Sequence, residues 1–313
     1  MKRVSISRPT RAVDPRIIGR RWAPNPPLRL LWAASLALLV TLGAGCSSVR
    51  LSYNNASQLT WWWLDGYVDF SREQTPAVRQ GIDSFYAWHR ATQLPAYVAL
   101  LAPLQDQMLA PTTAAEVCRL QDRFGPAAQP SVDRVLHLVA ERLPLLTEAQ
   151  LSRIRERYDK GNIDARNDYL QPDPKRRQQA AIKRTVERAE RLYGPLDAAQ
   201  LALLGEGVSA SPIDADRWLQ ARTRRQDQTL ATLRQLQSAG NSPERRLALL
   251  QTLAAGFENP TDPAERAYQA RLREHNCGVY ARLHNSATAN QRLHARDTLK
   301  GWEDDLRALS VSS

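Results

Sequence analysis

The chain has 313 residues, with 43 Lys and Arg against 32 Asp and Glu, a formal net charge of +11 and three cysteines. That length holds about two average domains or one large helical one. Eight of the basic residues and one acid precede Cys46, so the chain from Cys46 onward keeps 35 basic and 31 acidic residues, a net of +4. The basicity belongs to the first 45 residues, and nucleic acid loses its electrostatic footprint as a partner.

Lys2, Arg3, Arg8, Arg11, Arg16, Arg20, Arg21 and Arg29 lead into an uncharged run, Leu30 to Gly45, that closes on small residues before Cys46-Ser47-Ser48. A basic region, an apolar core and a small-residue end make a signal peptide. The run is shorter than the about 20 residues that a membrane-crossing helix needs. Leu42-Gly43-Ala44-Gly45-Cys46 resembles a bacterial lipobox, with Leu42 one step earlier than the usual position; the alternative is an ordinary secretory peptide with a chance cysteine. The resemblance implies lipidation of Cys46, anchoring in the cell envelope and, with Ser47 rather than aspartate after the cysteine, the outer membrane. Residues 1–45 are therefore read as a lipoprotein signal peptide, long enough that a start further downstream is an alternative, 46–56 as a lipidated tether and 57–310 as a single helical domain.

Leu59, Trp62, Trp63, Gly66, Tyr67 and Phe70 recur at three- and four-residue steps and predict an amphipathic helix. Three consecutive tryptophans span about 200° of a helix, so at least one points away from the stripe. The stripe assigns Trp62 and Trp63 to the core and Trp61 to the surface. Val78, Ile82, Phe85 and His89 predict a second helix, with a break near Leu94 and a kink near Ala99 from Pro95 and Pro103. Trp61, Trp88 and Arg90 are the candidate partner or membrane surface.

Capping boxes mark later helix starts: Ser71 to Gln74, Thr113 to Glu116, Thr147 to Gln150, Asp197 to Gln200 and Asp262 to Glu265. Apolar stripes follow them, and connections are expected near Pro111, Gly125, Pro172, Gly194, Pro212, Gly240 and Pro260. No run alternates Val, Ile or Thr with polar residues, so the fold class is all-α, a multi-helix array or bundle. Leu146-Thr147-Glu148-Ala149-Gln150-Leu151 and Leu196-Asp197-Ala198-Ala199-Gln200-Leu201 match at a spacing of fifty, which reads as recurring capping chemistry rather than a solenoid. Lys175, Arg176, Arg177, Lys183, Arg184, Arg188 and Arg191 form a basic face, either solvated or in contact with anionic lipid or a partner.

The residues assemble no catalytic or cofactor motif, so no enzyme activity, cofactor or metal is expected. The histidines His89, His137, His275, His284 and His294 contain no i, i+4 pair of the helical zinc type. Gly205-Glu206-Gly207 follows a helix rather than a strand and lacks the dinucleotide-binding context. Cys118 and Cys277 are either a disulfide or two free thiols.

Cys46-Ser47-Ser48, Tyr53-Asn54-Asn55, the Trp-rich helix with Asp65 and Tyr67, Gln74, Trp88-His89-Arg90 with Leu94-Pro95-Ala96-Tyr97, and the box at Leu146 to Gln150 together carry a resemblance. The chain looks like an uncharacterised family of proteobacterial lipoproteins with a helical domain, a family that implies no activity. The Leu-Thr-x-x-Gln box adds a weaker similarity to Spy-type periplasmic chaperones. The expectation is a non-enzymatic envelope lipoprotein, held to the membrane by its N-terminal lipid, that binds another envelope protein through a helical surface. The alternative is a Spy-type chaperone or envelope-stress protein.

Overall fold

The structure is a computed structural model that describes residues 48–238, 242–258 and 262–311. Cys46, the segment 1–45, Gly240 and Pro260 lie outside those ranges. The described residues contain eleven helices and no strand: α1 (Ser48–Asn54), α2 (Ala56–Val68), α3 (Thr75–Gln107), α4 (Ala114–Arg142), α5 (Glu148–Tyr169), α6 (Pro174–Tyr193), α7 (Ala198–Ser209), α8 (Ala215–Ser238), α9 (Pro243–Glu258), α10 (Pro263–Ser286) and α11 (Ala289–Val311). The fold is an all-α multi-helix array.

Ser48 to Asn54, expected as tether, is helical, and Arg50 donates to Asp305 of α11 at 2.7 Å. Helices α3 and α4 correct the sequence reading further. Pro95 and Pro103 lie inside an unbroken α3, and Gly125, Pro126 and Pro130 lie inside α4, where a connection was expected. An interior proline costs about 3 kcal/mol of helix propensity. Tertiary packing overrides it in α3, which lies along α11 over much of its length and buries Leu94 and Val98. Connections do fall at Pro111, Pro172, Gly194 and Pro212. Gly194 follows α6 with φ of 75°, a conformation that L side chains rarely adopt.

The helix starts obey the capping chemistry. Reciprocal boxes close at Thr113/Glu116, Thr147/Gln150 and Asp197/Gln200, and the same pair of bonds joins Ser71 and Gln74 just before α3. Asp262 is a cap without the reciprocal half: it accepts from Ala264 N, while Glu265 turns to Arg217. One box was missed, between Thr288 and Gln291 at the start of α11.

Four of these glutamines lock in pairs. Gln74 and Gln150 donate to each other's Oε1 at 3.3 and 2.7 Å, and each also donates to a carbonyl across the junction, Leu145 and Asp69. Gln200 and Gln291 do the same, both at 2.8 Å, with Ser286 and Pro195. Each Oε1 simultaneously closes its own box. The first pair ties the start of α3 to that of α5, and the second ties α7 to α11.

Helix contacts close into two rings that share the α3–α4 edge. One runs α2, α3, α4, α9, α8, α5 and back to α2; the other runs α3, α11, α6, α7, α10, α4 and back to α3. The core is correspondingly divided. Ala189, Tyr193, Leu204, Val279, Leu283 and Ala295 fill the second ring. The first has separate clusters, Val68, Leu146, Leu151, Ile154 and Leu230 in one, Trp61, Val78 and Ile82 in another. Gly207 of the G-x-G sequence is explained by packing: a Cβ there would sit 2.9 Å from both methyls of Val279, so its absence lets α7 approach α10.

Candidate functional site

Helix α2 is apolar on two faces. Ser57 donates to Asp83, Thr60 Oγ1 lies 2.8 Å from Tyr86 OH, and Trp61 stacks on Phe70 with centroids 5.8 Å apart. Ser57, Thr60, Trp61 and Leu64 therefore share the face toward α3, and the Arg79 guanidinium covers the Trp61 ring at 4.6 Å. Trp61 is 7% exposed, whereas Trp62 and Trp63 are 62% and 61% exposed and Leu59 joins them at 47%. The expected stripe divides: Leu59, Trp62 and Trp63 face out, whereas Tyr67 and Phe70 pack against the core, and Trp61 is core rather than surface. Both faces offer apolar side chains, and the two hydroxyls bonded to α3 select the inner one.

Trp88 is half-buried beside Phe85, with the Arg134 guanidinium 6.0 Å from its ring. Arg90 donates to Leu309 O at 2.8 Å and to Asn54 Oδ1 at 3.1 Å, so it fastens α1 and the end of α11 to α3. Between them His89 Nδ1 meets Tyr53 OH at 2.8 Å. Burial holds His89 below the usual histidine range and pushes Tyr53 up to about 12 against the opposing Arg90 charge. The Trp88-His89-Arg90 block is thus a junction of α1, α3, α4 and α11. Of the three residues expected at a partner surface, Trp61 is buried and Arg90 is engaged internally; Trp88 keeps partial exposure.

A second tyrosine–histidine pair, Tyr193 OH and His284 Nδ1 at 2.8 Å, sits in the other ring. His284 Nε2 faces the Ala110 carbonyl, which only accepts, so Nε2 carries the proton and Nδ1 accepts from Tyr193. Burial lowers His284 and raises Tyr193 to about 12. Cys118 and Cys277 form a disulfide, their Cα atoms 5.5 Å apart, joining α4 to α10. Among the described residues no group of three or more His, Cys, Asp or Glu converges as a metal site, and no helix is long and apolar enough to cross a membrane.

Sequence reasoning missed a concavity of the first ring, an open groove of about 820 Å³. Such a size lies within the about 300–1,000 Å³ typical of small-molecule sites. Trp63, Leu64, Tyr67 and Val68 of α2 form one wall, Val78, Ile82, Phe85 and Tyr86 of α3 the next, and Val135, Leu138 and Val139 of α4 a third. Facing them, α8 presents Arg222, Arg225, Gln226 and Thr229 at helical spacing. Arg222 donates to Asn162 Oδ1 at 2.9 Å, Asn162 in turn donates to Gln226 Oε1 at 2.8 Å, and Arg142 donates to Gln80 at 3.1 Å. The residues lining the groove include three arginines and no Asp or Glu. The helical spacing of Arg222, Arg225, Gln226 and Thr229 was the available signal, four polar residues on one side of α8.

No curated protein and no solved structure matches this chain. A model of DUF6279 matches residues 66–255, which spans α3 to α9 and most of the groove but not the tryptophan triplet. Since that match covers more than half of the 313 residues, the chain belongs to DUF6279, a family of unknown function.

Proposed function

We propose that this is a non-enzymatic, lipid-anchored protein of the cell envelope, in the outer membrane, that binds another envelope protein through the outward stripe of α2. The observation that carries the reading is the exposure of Leu59, Trp62 and Trp63 on one face of one helix. Large contiguous apolar surface is rare on monomers and marks interaction sites. Tryptophan is the side chain most enriched among the few that dominate binding energy. The lipobox-like sequence before Cys46 supports the anchor: Ser48, where α1 begins, is two residues from the cysteine that would carry the lipid.

A photo-crosslinking residue at Trp62, activated in intact cells, tests the reading when the captured species are identified. One or two defined envelope proteins are expected, and Cys46→Ala is expected to release the chain from the outer-membrane fraction. Capture of lipid alone would make the stripe a membrane contact instead. Capture of many unrelated polypeptides would favour the Spy-type chaperone, the second reading, which draws its support from the Leu-Thr-x-x-Gln box at Leu146 to Gln150.

A further inference from the structure

We infer that the groove of the first helix ring is a binding site for a single-chain anionic amphiphile, a long-chain fatty acid or a molecule of that chemistry. The inference does not rest on the anchor and shares only Trp63 with the α2 surface, because it is drawn from the two unlike sides of one concavity.

The apolar side comes from α2, α3, α4 and the start of α5 with the connection before it. Its floor is built from Val68, Val78, Ile82, Leu138, Leu146 and Ile154, all buried. Aromatic rings stand above that floor: Trp63 lies 5.0 Å from Tyr67, and Tyr67 6.1 Å from Tyr158. A flexible methylene chain gains by leaving water for such a trough, at about 0.8 kcal/mol for each buried CH₂. Charge alone attracts no alkyl chain, and an apolar trough alone selects no head group.

The opposite side supplies the selection. Arg222 and Arg225 are three residues apart on α8, hence on one face, with Gln226 and Thr229 beside them. Arg222 is held by the neutral amide of Asn162, and among the described residues neither arginine has a carboxylate within ion-pair distance. With Arg142 across the groove, every formal charge on the lining is positive. A guanidinium fork matches a carboxylate in two parallel hydrogen bonds. An alkyl chain along α2, α3 and α4 with its carboxylate at α8 satisfies both sides at once. A neutral lipid leaves the arginines unmatched, and a small anion leaves the trough wet.

The test uses the purified full chain carrying Cys46→Ser, so that no acyl chain is attached to it. It is titrated with the fluorescent fatty acid cis-parinarate, and palmitate, hexadecanol and phosphatidylglycerol vesicles serve as competitors. Saturable binding at one site, displaced by palmitate, is expected, with hexadecanol about tenfold weaker for want of the charged head. Val135, 42% exposed at the groove edge, takes a larger side chain without disturbing the core. Val135→Trp is expected to abolish binding. Arg222→Gln with Arg225→Gln is expected to weaken palmitate about tenfold or more and leave hexadecanol unchanged, the far-ultraviolet spectrum of each variant showing the native helix content. Absence of saturable binding, equal affinity in Val135→Trp, or displacement by vesicles but not by palmitate would overturn the inference.

Discussion

Trp61, Trp62 and Trp63 share a composition and a helix but not an environment. Replacing Trp61 by alanine removes a ring packed on Phe70 and under Arg79, and is expected to cost about 3–5 kcal/mol, the range for large core truncations. Trp62→Ala and Trp63→Ala are expected to stay within about 0.5 kcal/mol, as exposed substitutions do. Urea unfolding of the three variants decides it; an equal loss at Trp62 would mean that α2 is turned the other way. Periodicity made the stripe of Leu59, Trp62 and Trp63 legible in the sequence but not its direction. The deciding signal was polar: Ser57 and Thr60 lie on the Trp61 side, and a hydroxyl inside an otherwise apolar helix face often marks a bond to a neighbouring helix. Gly207 teaches a similar lesson, since its lack of a side chain serves Val279 rather than a phosphate.

At the scale of elements, the choice between Gln and Glu in the capping boxes separates two jobs. Both residues close a box through an acceptor oxygen, but only the amide also donates, and the four paired glutamines use both of its ends. Glu116 closes its box with only near neighbours, Thr112, Thr113 and Arg119, as partners. Gln200→Glu should therefore keep the cap of α7 and the bond accepted from Gln291, yet lose the bonds that Gln200 donates to Gln291 and Ser286, in a site where Gln200 is 1% exposed. A loss of about 1–3 kcal/mol is expected, against under about 0.5 kcal/mol for Glu116→Gln. Equal midpoints for the two variants in denaturant titrations would mean that the lock between helix starts contributes nothing. The boxes at Ser71, Thr147 and Asp197 were legible because they precede apolar stripes, whereas the box at Thr288 opens onto a stretch dense in charge, with Arg292, Arg296, Asp297 and Lys300. Partners 76 and 91 residues apart have no local signature at all. The interior prolines of α3 and α4 misled for the converse reason, that a local penalty was outweighed by packing from distant helices.

Over the whole molecule, the disulfide between Cys118 and Cys277 closes a loop with a sequence separation of 159. The chain-entropy treatment gives up to about 5 kcal/mol for a loop of that length. Paired Cys118→Ser and Cys277→Ser substitutions are expected to lower the denaturation midpoint by an amount of that order, and reductant is expected to have the same effect on the native chain. An unchanged midpoint in both would remove the bond from the forces that hold the second ring. Fold class was legible throughout, from the caps and the absence of strand patterns. The two rings were not, because each closes only through contacts between helices far apart in sequence, and the groove exists only once the first ring has closed.

The pairing of α3 with α11 sets a timetable for the newborn chain. Leu94 and Val98 lie on the stripe that Arg90 and Gln105 tie to α11. That partner is complete only about 200 residues after α3 is finished. At about 5–20 residues per second, the ribosome takes about 10–40 s over the interval. Until then Leu94 and Val98, on the longest of the described helices, lack their α11 neighbour, and a transcript that stops before Ala289 leaves them without it permanently, far along the sequence from the lesion.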